Sequence, residues 1–558
     1  LKIKLSFEKK DFIVGLGIFI IILLPFVYQI YWRHHTPQGY YYTGFLISDQ
    51  NTYSAIFRSV FERGNGIFYS YPYAPPGSDN PAIMFQIPFT LLAWFWKLTT
   101  STRAAWEILR IVFGIGFLFL LYKFFVRVFQ NFYPKEMAER NGQIISRGLF
   151  LTLLFGAGLA WFIAAFRFGV GRFAGTLPFE SSYLDTFIDV ESDYSGWIFN
   201  IFRNVFNPLE GIYHLCFFLA VLGAIRGNSR LAFAGQLLAC GSGVFVGLEI
   251  SAIMLLFFII EYLYSKDKKH LKQFVLSFSI LGVFIFYYKI FMRFFPVSRS
   301  LVEQHLINLH GAIPLRCYFP AYGFLLFSTP LVFLNRDFRR VFFQKREGRL
   351  LFIWLFVVIC LIQNDKILTL QRSVQPAHFA RGYLFTALFL ISALGAFPFF
   401  YRISQRRFLK LILIMSALFI LMLPDNLLYL RRLFTFEPHP HFLLLPTQSM
   451  EVFNYLNGLN TRENIFCSDI RLGDQIPAFT PHSSVWAMEY ATPFAEDKKR
   501  MIAGFYNNIG ADDFIKKYKI SMLIILNTKA APLAEKIKRP EWKEVFGNDI
   551  WKVYQIPR

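Results

Sequence analysis

Asp49, in Ser48-Asp49-Gln50, lies in a long polar stretch between the first two strongly hydrophobic segments, and the Pro-stiffened run Tyr71 to Pro81 follows it. A carboxylate placed there can take the proton of an attacking hydroxyl. A second acidic residue is expected among Asp79, Asp185, Asp189, Glu191 and Asp193. Asp79 also suits the Pro/Gly/Ser/Asp turn that contains it. Further along, Arg372, His378 and Arg381 crowd the start of a hydrophobic segment. Their cations can neutralise a departing phosphate, and snorkelling to lipid headgroups is their plainer use.

The elements that must position these groups are mostly apolar. The chain is 55% hydrophobic and 19% aromatic with 69 Phe, more than a soluble core needs, so a second apolar solvent is implied. Its net charge of +22 falls in short basic runs between hydrophobic segments. That is how membrane topology is written, and it argues against a nucleic-acid partner. With about 20 apolar residues per crossing, about 11 spans are read near 12–32, 105–129, 148–166, 208–226, 231–246, 249–264, 271–293, 316–334, 349–364, 382–400 and 408–428. One alternating path puts the basic loops and the amino terminus in the cytoplasm. The expected location is therefore the plasma (inner) membrane, with several passes and the carboxyl-terminal tail outside.

Two stretches resist simple counting. Residues 231–264 form one apolar run, and Gly241, Gly243 and Gly247 supply a turn, so a tight hairpin is expected. Glu249 would then either cap the turn near the surface at its tip or, at mid-membrane, need a partner or a polar cavity. Residues 83–98 are short, and Trp94 and Trp96 suit a helix lying along the outer interface. The expected organisation is a membrane domain over 1–430, including a loop over 33–104, and a soluble α/β domain over 431–558. In the tail, short apolar runs alternate with charged helical patterns.

Gathered in one polar chamber, the carboxylates and cations would suit inverting glycosyl transfer from a phosphate-linked donor. Nucleotide sugars are cytoplasmic, so an enzyme working outside would draw its sugar from a polyprenyl-phosphate carrier. Here the chain resembles the GT-C glycosyltransferases, which include protein O-mannosyltransferases, aminoarabinose transferases and oligosaccharyltransferases. The resemblance covers the span layout, the long first loop and the tail. Asp49 sits where that family places an acidic catalytic residue, and Asn80-Pro81 looks like its His-Pro-Pro turn. Gly241 to Ser251 looks like its glycine-rich hairpin, with Glu249 where Lys is common. Gly473 to Thr480, followed by Val485-Trp486, is similar to the outer domains of other members.

The resemblance implies an all-α polytopic membrane fold carrying an α/β tail. It also implies a lipid-linked sugar donor, a divalent cation (Mg or Mn), and an acceptor glycan, lipid or protein. The chain departs from the pattern at Asp49, which is followed by Gln and lacks an acidic partner, and at the turn, which lacks its His. Two other readings stand beside the enzyme. A transporter or flippase of lipid-linked glycan would want ionisable groups buried mid-span. A non-catalytic assembly protein would keep the fold without the chemistry.

Overall fold

The computed structural model describes residues 11–178, 182–192, 200–308, 315–364, 376–435, 442–507, 509–528, 531–532 and 539–557. Contacts divide the chain into two compact units. One comprises 1–28, 109–284 and 310–436. The other joins 29–108, 285–309 and 437–558.

The first unit is helical. Among the described residues, six helices are long and apolar enough to cross a membrane: Phe12–His34, Thr102–Phe132, Val244–Ser265, Lys268–Phe294, Pro376–Arg406 and Phe408–Thr435. The bent pair Arg140–Phe155 and Ala160–Phe173 makes a seventh if it counts as one span. The expectation of about 11 spans is not met, because hydropathy counts apolar residues and not unbroken helix. At Gly158 the backbone passes so close to Pro320 and Ala321 that no Cβ fits, and the helix pair around it bends by 55°. The stretch 316–334 breaks into short helices at Gly323, whose φ of +52° ends one turn, and Pro330 lies inside the next helix. Helix Glu210–Ile225 has only 16 residues, about 24 Å of rise.

The expected hairpin is present as Ser229–Ser242 and Val244–Ser265, joined at the extended Gly243. Its first arm lies against Glu210–Ile225. Gly227, at φ +67°, makes the connecting turn, and the Asn228 side chain accepts from Leu231 N at 3.1 Å. Small residues allow the close approach. A Cβ on Gly235 would stand 2.4 Å from Ala220 N and 2.8 Å from Cys216 O, and one on Gly223 would stand 2.4 Å from Ala232 N. Gly235→Leu is therefore expected to force these helices apart. The cost is at least ~1–3 kcal/mol, visible as a lower yield of monodisperse protein on detergent size exclusion. A yield equal to wild type would show that the crossing relaxes freely.

Elsewhere in this unit, aromatic side chains fill the interior. Trp354 meets Phe217 at 4.8 Å, and Phe125 stacks on Phe129 at 4.6 Å. Phe278, Val283 and Val275 are exposed on Lys268–Phe294, where lipid is the natural solvent.

The second unit is built on a mixed sheet. Its strands run in the order Ser483–Ser484, Asn464–Cys467, Met522–Thr528, Trp551–Gln555, Lys543–Gly547. The first three are mutually parallel, linked by helices Ile470–Phe479, Ala495–Tyr506 and Ala511–Lys517, and the last two are antiparallel. Parallel pairing requires such crossovers. Asn464–Cys467 is buried on both faces, and alternation divides its side chains. Phe466 packs with Phe505 and Phe514, while Ile465 and Cys467 pack with Phe453 and Ile476.

The first polar loop belongs to this same unit. Tyr40–Tyr42 pairs antiparallel with Leu444–Pro446, and Thr43 N donates to Leu443 O at 3.0 Å. Helix Ile87–Thr99 spans only 13 residues, with Phe89, Leu92 and Ala93 buried and Trp94 and Leu98 exposed.

Candidate functional site

Asp49 opens helix Asp49–Glu62, where the helix dipole favours an anion. One turn back, the Gln50 side chain accepts from Ile47 N at 3.2 Å and closes the helix start. Trp106 Nε1 donates to Ser54 Oγ at 3.0 Å and fixes the buried face. The Asp49 carboxylate is half-buried. Its Oδ1 accepts from Tyr490 OH at 3.0 Å, and Tyr53 OH stands 3.5 Å from Oδ2.

A second carboxylate approaches from the tail. Asp474, on helix Ile470–Phe479, is 1% exposed. Its Oδ1 accepts from Tyr73 OH at 2.9 Å and from Thr52 Oγ1 at 3.1 Å. Burial pushes the Asp474 carboxyl up to about 7, and the Asp49 charge adds to the effect; the hydrogen bonds from Tyr73 and Thr52 pull the other way. Burial beside the same two carboxylates also pushes the Tyr490 phenol up, so it stays a donor. Around this pair, Arg58 Nη1 donates to Ala478 O at 3.2 Å. Arg63 donates to Pro72 O at 2.8 Å and to Pro481 O at 3.1 Å.

Asn80 has a structural task. Its side chain accepts from Tyr71 N at 2.9 Å and donates to Tyr71 O at 2.9 Å and Ala74 O at 3.0 Å, knitting the Pro-rich turn. Asp79 beside it is exposed.

In the other unit, Asp185 and Asp189 lie on helix Tyr183–Ser192, both exposed. Asp185 accepts from Ser182 N and Oγ at 2.8 and 2.7 Å, which holds its carboxyl below the usual range. That is a capping arrangement. His378 lies flat on Phe245 at 4.0 Å. Arg381 Nη1 donates to Glu210 Oε1 at 2.5 Å, and Glu210 Oε2 lies 3.4 Å from His214 Nδ1. The His214 ring stacks on Tyr383 at 4.5 Å. Glu249 is 0% exposed, and among the described residues neither carboxylate oxygen has a hydrogen-bond partner. A surface position at the hairpin tip is thus not where it lies. Arg372, Asp193 and the Glu191 side chain fall outside the described residues.

The sequence reading missed Asp474, Tyr73, Thr52 and Tyr490 as neighbours of Asp49. Asp474 stands in the segment Gly473 to Thr480, and nothing local in that segment marks its carboxylate as buried. Among the described residues, no group of three His, Cys, Asp or Glu side chains is arranged to hold a metal ion. No chemical step is assigned to a metal ion.

No family profile and no curated protein sequence matches the chain. Among solved structures, it is similar to an oligosaccharyltransferase of Archaeoglobus fulgidus crystallised with Zn and sulfate. The TM-score is 0.51 at 11% identity, over 91% of this chain and 68% of that one. The apo form of that enzyme gives TM-score 0.51 at 11% identity, over 92% and 70%. At this identity the likeness is one of fold: the chain shares the fold of that archaeal oligosaccharyltransferase.

Proposed function

We propose that the protein is a membrane glycosyltransferase that moves a sugar from a polyprenyl-phosphate donor to an acceptor outside the cytoplasm, with inversion. The observation that carries this reading is the half-exposed Asp49 carboxylate, held by Tyr490 at a helix start in a chain with the GT-C-like fold. Asp49 accepts the proton of the acceptor hydroxyl. The acceptor oxygen forms its bond to the anomeric carbon as the bond from that carbon to the phosphate oxygen breaks. The electron pair leaves on polyprenyl phosphate, which needs no strong acid to depart. Arg372, His378 and Arg381 are assigned to the donor phosphate, and one of Asp79, Asp185, Asp189, Glu191 and Asp193 to the acceptor. The 1–430 and 431–558 division, with the tail outside, belongs to the same reading. The similar archaeal enzyme was crystallised with Zn and sulfate, and a divalent cation (Mg or Mn) belongs to the same reading.

The test is purified protein in lipid discs, fed short polyprenyl-phosphate sugars and cell-envelope extract. Mass spectrometry should detect free polyprenyl phosphate and a glycosylated acceptor. Absence of both with every donor would sink the enzyme. A carrier of lipid-linked glycan is the second reading, and the buried Glu249, Glu210, His214 and Arg381 of the membrane unit favour it. Flux of donor across the lipid without turnover would establish that reading.

A further inference from the structure

We propose that Asp474 is a positioning residue for Asp49: from the tail it pins the first turns of helix Asp49–Glu62. This rests on Asp49 being the base proposed above. Thr52, three residues after Asp49, shares its helical face and is tied to Asp474 Oδ1 at 3.1 Å. Tyr73 OH donates to the same oxygen at 2.9 Å and to Asp474 O at 3.0 Å, so the Pro-rich run is fastened to the same point. The tail thus holds Asp49 twice, directly through Tyr490 and indirectly through Asp474.

The charges agree with the geometry. The groups facing Asp474 include Asp49 and Asn51 from the loop helix, Tyr71 and Tyr73 from the Pro-rich run, and Tyr490 from the tail. Arg58 is paired with Glu62 at 2.7 Å, and Arg63 is spent on backbone carbonyls. A carboxyl buried beside another carboxylate holds its proton to higher pH. Below about 7 Asp474 is therefore neutral. Above that value an anion appears beside the site and repels an anionic donor, whose phosphodiester does not titrate in this range.

The full chain in lipid discs would be compared as wild type, Asp474→Asn and Asp474→Ala. Turnover and thermal unfolding would be measured from pH 4 to 9. The wild-type KM for donor should rise through pH 7, and Asp474→Asn should keep it low. Asn accepts the same two hydrogen bonds, so it should recover most of the kcat that Ala loses, on the order of 100-fold. The sign for stability follows from a raised folded value. The contribution is full below the unfolded value near ~4 and is lost as pH rises through about 7. Asp474→Asn should flatten that decline. Lys498, lowered to about 7 by burial, acts in the opposite sense above that pH in all three proteins. Identical pH profiles for wild type and Asp474→Asn, with turnover intact, would overturn the inference and leave the enzyme standing. No turnover by wild type would overturn both.

Discussion

Asp49→Asn is expected to lower turnover by roughly 10²–10⁴-fold, the range a positioned general base contributes. The loss should fall on kcat with donor KM little changed, because the proton moves only as the acceptor attacks. Folding should survive, since Asn serves nearly as well as Asp at a helix start and its side-chain oxygen can still accept from Tyr490. The measurement is release of free polyprenyl phosphate by mass spectrometry, with thermal unfolding run on the same samples. Equal release by both proteins would move the base elsewhere, first to Asp79 or the acidic residues between 185 and 193.

Arg381→Met should be the most damaging change to the membrane unit. It strands Glu210, which is 1% exposed and bonded to Arg381 at 2.5 Å. Breaking one side of a buried ion pair costs about 3–5 kcal/mol, whereas replacing both partners by neutral groups often costs little. The double change Arg381→Met with Glu210→Gln should therefore regain much of the stability that Arg381→Met alone loses. Thermal unfolding in detergent would read this directly. A double variant as unstable as the sum of its singles would mean that the pair is not coupled. Turnover separates a second role, because a double variant that folds but binds donor weakly would place Arg381 at the phosphate as well.

Asp49 drew notice in the sequence because a polar loop between apolar segments is itself a signal. Its neighbours did not. Thr52 and Asp474 are 422 residues apart, and no local pattern joins residues so distant. Composition changes at 431, yet contacts gather 29–108 and 285–309 with 437–558, since hydropathy is read along the chain and packing across it. The hairpin around Gly243 was readable from its glycines. The span count was not, because Gly158 and Gly323 interrupt runs that composition leaves whole. Glu249 had both a surface and a mid-membrane place open to it, and only the packing of neighbouring helices buries it.

The pairing of Tyr40–Tyr42 with Leu444–Pro446 carries a consequence for biosynthesis. Thr43 and Leu443 are separated by 400 residues, and ribosomes add about 5–20 residues per second. The early strand therefore emerges about 20–80 s before its mate exists. Through that interval its open edge, with exposed Tyr40 and Tyr41, must be shielded from other nascent chains. Closure of this pair therefore waits on the synthesis of Leu444–Pro446, and a chain that stops short of it leaves Tyr40–Tyr42 without its mate.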